Sequence, residues 1–154
     1  MMVVIAILGI VSAIAAPQFT AWRKNINFKE AARDLSSDIS LYRQRAVAEN
    51  IGYRIVINQG AKSYSIQRAT ATIPGPEDYA DLTPPVTKFL SAISSQVIIS
   101  NITFPGTPPR ITLQPRGTIS PGGTLTLQNE GLPGKKADII ANIMGRVRVE
   151  YGSI

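Results

Sequence analysis

Residues 1–22 read MMVVIAILGIVSAIAAPQFTAW and carry no charge. The apolar part, Met1 to Ala16, has no polar face to turn toward water. As a helix its sixteen residues span roughly 24 Å, short of the ~30 Å hydrocarbon core of a bilayer. Three readings compete. A buried core helix fits the composition, although all-round apolarity at a chain terminus is unusual. A secretory signal peptide fits Ala13-Ile14-Ala15 as a small-x-small cleavage site, but lacks a basic n-region. A membrane helix whose first few residues precede Met1 fits the length deficit. Pro17 removes one backbone hydrogen bond and favours a break or bend, which a surrounding of lipid or other helices tolerates.

Working outward, the periodicity changes at Phe28. Phe28, Ala32, Leu35, Ile39, Tyr42 and Ala46 step by four and three, one stripe along a helix. Lys29, Glu30, Arg33, Asp34, Asp38, Arg43 and Arg45 fall on the outer face, and Asn50 and Gly52 supply a stop. A helix of about fifty residues is therefore expected, its second half lying on a sheet, because everything downstream reads as strand. Tyr53, Ile55 and Ile57, a turn at Gln59 to Lys62, then Tyr64 and Ile66 give a hairpin. Ala71 to Pro85, rich in proline and acidic side chains, reads as a loop. Val97 to Phe104, Ile111 with Leu113, and Leu125 with Leu127 read as strands. Ile139, Ile140 and Ile143 precede a turn at Met144-Gly145, and Val147, Val149 and Tyr151 then alternate with Arg146, Arg148 and Glu150.

The chain has 154 residues, a net charge of +6, 44% hydrophobic residues, no histidine and no cysteine. Those two zeros exclude Ser-His-Asp and Cys-His nucleophile systems, disulfides, iron–sulfur clusters and the usual zinc sites. The acidic residues show no acid/base pattern, so the chain is not expected to be an enzyme and no cofactor or metal is expected. Glu77, Asp78 and Asp81 are a candidate for weak calcium binding but have no ligand spacing behind them; a solvated loop is the better reading. The glycine-rich pieces at 121–123 and 131–134 fit no phosphate-binding fingerprint.

Met2 to Phe19, with Pro17 inside it, resembles the N-terminal helix of type IV pilins and type II secretion pseudopilins. On that register about five residues precede Met1, which brings the helix close to membrane thickness. The body extends the likeness: Leu35-x-Ser-x-Ile, Arg45-Ala46 and a strand opening Gly145-Arg146-Val147-Arg148 resemble the GspH/FimT branch of minor pilins and pseudopilins. The charge flanks conflict with it. Arg23 and Lys24 follow the run and no basic residue precedes it, which by the positive-inside rule alone puts the rest of the chain in the cytoplasm. The resemblance implies the opposite, because the basic residues of the family's leader are cleaved off, and we follow it.

The resemblance implies an α+β fold: a long N-terminal helix, one half for membrane and filament and one half amphipathic, packed on an antiparallel β-sheet head. Residues 1–24 would be the membrane or filament-core helix and 25–154 the head. The partners implied are other pilin or pseudopilin subunits, reached through Val3, Val4, Ile7, Leu8, Ile10, Val11, Ile14 and Pro17, the inner membrane before assembly, and DNA as a candidate ligand. The head would face the periplasm. Arg146 and Arg148, one residue apart on a strand, share a face about 7 Å apart, a spacing near that of neighbouring phosphates, and guanidinium forks bind phosphate. The motif resembles the element implicated in DNA binding by FimT-like minor pilins. The competing reading is a solvated strand face, with Glu150 beside it. Lys135 and Lys136, read as part of a flexible segment, and Arg110 and Arg116 are further candidates. Two roles remain open, a type IV pilus minor subunit that assists assembly and binds DNA for uptake, and a tip-complex pseudopilin of type II secretion acting by protein contacts. A secreted binding protein with a signal peptide is the rival from another class.

Overall fold

A computed structural model describes the backbone of residues 2–71, 75 and 78–153, and the side chains among these from Phe19 onward. Among the described residues one α-helix, α1 (Met2–Glu49), is followed by nine strands, with a single 3-10 turn (Leu90–Ala92) between the third and fourth. The helix runs through Pro17 without interruption. Its expected stripe is the buried one: Phe28, Ala32, Leu35, Ile39, Tyr42 and Ala46 are buried, with Ala31 beside them. The helix ends at Asn50, which takes the left-handed conformation with φ 53°.

Two antiparallel sheets pack on this stripe. One has the order β3-β2-β1-β5-β6 and the other β4-β7-β8-β9. In the first, β1 (Tyr53–Asn58) and β2 (Ser63–Ala69) form the expected hairpin, with Ile55 opposite Ile66. β5 (Arg110–Leu113) flanks β1 on the other side, with Ile55 opposite Ile111. In the second, β7 (Gly123–Asn129) lies between β4 (Val97–Ile102) and β8 (Lys135–Ala141), and β9 (Val147–Ser153) is the edge. Inward side chains of both sheets join the helix stripe in one core, among them Ile55, Ile66, Ile111, Leu125, Leu127 and Ile139. A period-two alternation with one face inward is what a sheet covered on one side requires.

Three local readings are corrected. The expected loop at 71–85 ends early, because Tyr79–Phe89 forms β3 and pairs with β2. Ile66 pairs with Val86 and Gln67 with Asp81, so the intervening residues of β3 leave the ladder. Pro84 and Pro85, which have no N–H to donate, sit in that interruption of an edge strand, where proline is tolerated. Ile119–Ser120, outside the strands read from the sequence, is a short strand, β6, paired with β5 and burying Ile119. Asp38, expected on the outer face, is buried, because the stripe is wide enough to reach it. In the 71–85 segment, Asp78 accepts a hydrogen bond from the Gly75 N–H and Asp81 one from the Gln67 amide; Glu77 lies outside the described residues. Among the described residues no acidic group forms a metal cluster.

Candidate functional site

The C-terminal strand alternates as expected near its start: Val147 and Val149 turn toward the core while Arg146, Arg148 and Glu150 are exposed. Tyr151 departs from the pattern. It is exposed at the sheet edge, with its hydroxyl 3.4 Å from the Lys29 carbonyl oxygen and the Lys29 ammonium 5.7 Å from its ring centre. Arg148 and Arg146 are not equivalent. Arg148 forms an ion pair of 2.6 Å with Glu150 two residues along the same face. Arg146 belongs to the β8–β9 turn, where its N–H donates to the Asn142 side chain and Asn142 N–H donates to its carbonyl.

The glycine before Arg146 has a packing reason. Gly145 has φ 82°, and a Cβ there would collide with the Gly117 carbonyl oxygen and stand 2.8 Å from Arg43 Nη1. This turn and the Gln114–Gly117 turn therefore touch, over the C-terminal part of α1, and Ile119 N–H donates to Ile143 O to join the two sheets there. Arg116, exposed in the second turn, is brought to the same end as Arg146.

The other candidates lie elsewhere. Arg110 faces outward on β5, beside Arg54, whose guanidinium stacks 3.6 Å from the centre of the Tyr79 ring. Lys135 and Lys136 are not in a flexible segment: they open β8, paired with Ser153 and Gly152 of β9, at the end of the head beside Asn25 to Lys29. Strand rise places the level of Lys136 roughly 13 Å from that of Arg148, and Lys136 pairs with Asp138 at 3.3 Å. The candidate cations thus fall into three groups rather than one patch. Val3, Val4, Ile7, Leu8, Ile10, Val11, Ile14 and Pro17 lie outside the residues whose side chains are described. Among the described residues no helix is long and apolar enough to cross a membrane.

Sequence reading missed a charged network, centred on the buried Asp38, that ties the helix to a sheet. Lys88 of β3 reaches Asp38 at 2.8 Å and Asp34 at 3.3 Å, and the Tyr64 hydroxyl donates to Asp38 at 2.7 Å. Burial on its own pushes the Lys88 ammonium down, but the Asp38 and Asp34 carboxylates outweigh it and hold it above the ordinary lysine value. Burial first, then the bond to Asp38, pushes the Tyr64 phenol far up, so it stays a donor. The available signal was Asp34 and Asp38 one turn apart, a like-charged pair that calls for a cation.

The fold is shared with a minor pseudopilin and a minor pilin of known structure. The minor pseudopilin EpsH from the type 2 secretion system of Vibrio cholerae matches with a TM-score of 0.63 and 14% identity, over 80% of this chain and 96% of that one. The type IV minor pilin FimU of Pseudomonas aeruginosa matches with a TM-score of 0.55 and 16% identity, over 84% of this chain and 92% of that one. No curated protein matches the sequence. The sequence model of the family described as type II transport protein GspH matches residues 31–145, from the helix stripe to the Gly145 turn and well over half of the chain. The chain therefore belongs to the family described as type II transport protein GspH, with the fold of a minor pilin or pseudopilin.

Proposed function

We propose that the chain is a minor pseudopilin of a type II secretion system and works by protein contacts. In this reading the apolar helix holds it in the inner membrane, with the head in the periplasm, until assembly. Filament formation then exchanges lipid around Val3, Val4, Ile7, Leu8, Ile10, Val11 and Ile14 for neighbouring helices. The observation that carries the choice over a DNA-binding pilus subunit is the neutralised strand face. Arg148 is paired with Glu150 and Lys136 with Asp138, so the outward side of β8 and β9 offers little free charge to a phosphate backbone. DNA affinity at low salt depends on such free cations. The full chain in neutral detergent is expected to show no binding to duplex DNA at low salt, and deletion of its gene is expected to stop type II secretion while DNA uptake continues.

The second reading, a pilus subunit that binds DNA, draws on Arg146 and Arg116 meeting at one end of the head. Neither has a carboxylate partner among the described residues. It predicts salt-dependent binding that is weakened alike for all sequences by Arg146→Gln with Arg116→Gln, because phosphate contacts carry no base information.

A further inference from the structure

At the end of the head next to the apolar run, α1 and the ladder of β8 and β9 enclose a cleft of about 400 Å³. Phe28, buried in the core, forms its floor and Tyr151 a wall, and Lys29, Lys135 and Lys136 line it, with the Lys136 ammonium turned to Asp138 on the outward side of β8. No acidic side chain lines it among the described residues. Lys136 is partly committed to Asp138. Lys29 and Lys135 have no carboxylate partner among the described residues, and Lys29 is held over the Tyr151 ring.

The position of this cleft along the helix is what gives it a ligand. From Met2 to Trp22, α1 carries no charge, and the uncharged run ends at Trp22. Phe19 and Trp22 are exposed, their rings 5.8 Å apart, on a helix face that packs on nothing in the head. Exposed aromatics at the end of an apolar span, followed by Arg23 and Lys24, are the pattern of a membrane interface. Asn25 to Lys29 then fall about 5–10 Å beyond Trp22, at the outer edge of a headgroup layer roughly 5–7 Å deep. With Trp22 at that boundary, the cleft opens at the level of the lipid phosphates.

We propose that this cleft binds the headgroup of an anionic phospholipid, with the phosphate between Lys29 and Lys135 and the glycerol portion against Phe28 and Tyr151. The site would seat the head upright on the membrane before assembly. The inference rests on the membrane anchoring in the proposed function, and the experiment separates the two.

The full chain in a neutral maltoside detergent is offered phosphatidylglycerol or phosphatidylcholine, and retained lipid is read by native mass spectrometry. Preferential retention of one phosphatidylglycerol per chain is expected. Each basic residue near an anionic surface contributes enough that Lys29→Gln with Lys135→Gln should lower that retention by roughly thirtyfold. Lys29→Arg with Lys135→Arg should keep it. Both lysines are exposed, so the double glutamine variant should melt with the wild type. Equal retention of the two lipids by the wild type, or undiminished phosphatidylglycerol in the glutamine variant, overturns the proposal. Inorganic phosphate that displaces the lipid with the same dependence on Lys29 and Lys135 reassigns the site to a free anion and overturns the lipid assignment. Flotation with phosphatidylcholine vesicles isolates the anchoring: a chain that does not float overturns the membrane reading itself. One that floats without phosphatidylglycerol preference overturns only the headgroup site.

Discussion

Asp38 is 6% exposed, and its carboxylate has two partners that arrive from different strands, Lys88 and Tyr64. Removing a partner from a buried charge costs more than the pair contributes, because the remaining charge keeps its desolvation penalty. Lys88 is itself more than a third exposed, so solvent screens the pair. Lys88→Met is expected to lower stability by about 1–2 kcal/mol, below the cost of breaking a fully buried pair. Denaturant melts of the variant and wild type at neutral pH measure this. The pH dependence follows from the raised values of both partners. A phenol or ammonium that holds its proton more tightly in the folded chain contributes stability in full below its unfolded value, 10.0 for Tyr64 and 10.5 for Lys88. That contribution is lost as the pH rises toward the folded value. Wild-type stability should therefore fall above about pH 10, and Tyr64→Phe should fall less steeply while starting lower. Parallel curves for the two would remove Tyr64 from the linkage. Gly145 makes a separate residue-scale case. Its left-handed backbone and its contact with the Gly117 carbonyl leave no room for a side chain. Gly145→Ala should cost about 2–4 kcal/mol by strain plus displacement of the neighbouring turn. A melting temperature near that of the wild type would show that the two turns separate freely.

The elements divide by how much of their reason for existing is local. The second half of α1 was legible, since a stripe from Phe28 to Ala46 needs only its own spacing, and the β1–β2 hairpin was legible from alternation around a turn. β3 was not. Its prolines argue against a strand, and only the neighbouring edge of β2, together with the interruption between Ile66 and Gln67, makes room for them. Lys135 and Lys136 read as loop because glycines precede them, and it is pairing with Ser153 and Gly152 that makes them strand. The site was less legible than the fold. The alternation of Arg146 and Arg148 was available in sequence, but the distance of those residues from Lys135 and Lys136 is a tertiary fact. The partner that Asp38 finds, Lys88, lies about fifty residues further along the chain, just past the segment that reads as a loop. At this scale the stripe itself is testable. Leu35 and Ile39 are each 1% exposed under two sheets. Leu35→Asp or Ile39→Asp should cost several kcal/mol by burying an unpaired carboxylate. Near-native melting of either would mean that this is not the face on which the sheets pack.

For the whole molecule the question is where one cooperative unit begins. The first residue of α1 buried among the described side chains is Phe28; those from Phe19 to Asn27 are exposed or half-buried. The core is closed without them, by the stripe from Phe28 and the inner faces of both sheets. One tie between that stretch and the head is a hydrogen bond of 3.3 Å from the Asn129 amide to the Lys24 carbonyl. Removing residues 1–24 therefore takes away the uncharged run and the exposed Phe19–Trp22 pair, and gives up little of what holds the head together. A chain beginning at Asn25 is expected to be soluble and monomeric, and to unfold in one cooperative transition in urea. Its stability should lie within about 1 kcal/mol of the full chain in detergent, the size of one neutral hydrogen bond. Circular dichroism and fluorescence of the five tyrosines should report the same midpoint, as a two-state domain requires. Separate midpoints, or aggregation of this chain while the full chain stays folded, would place part of the core in the first 24 residues and move the boundary toward the N-terminus.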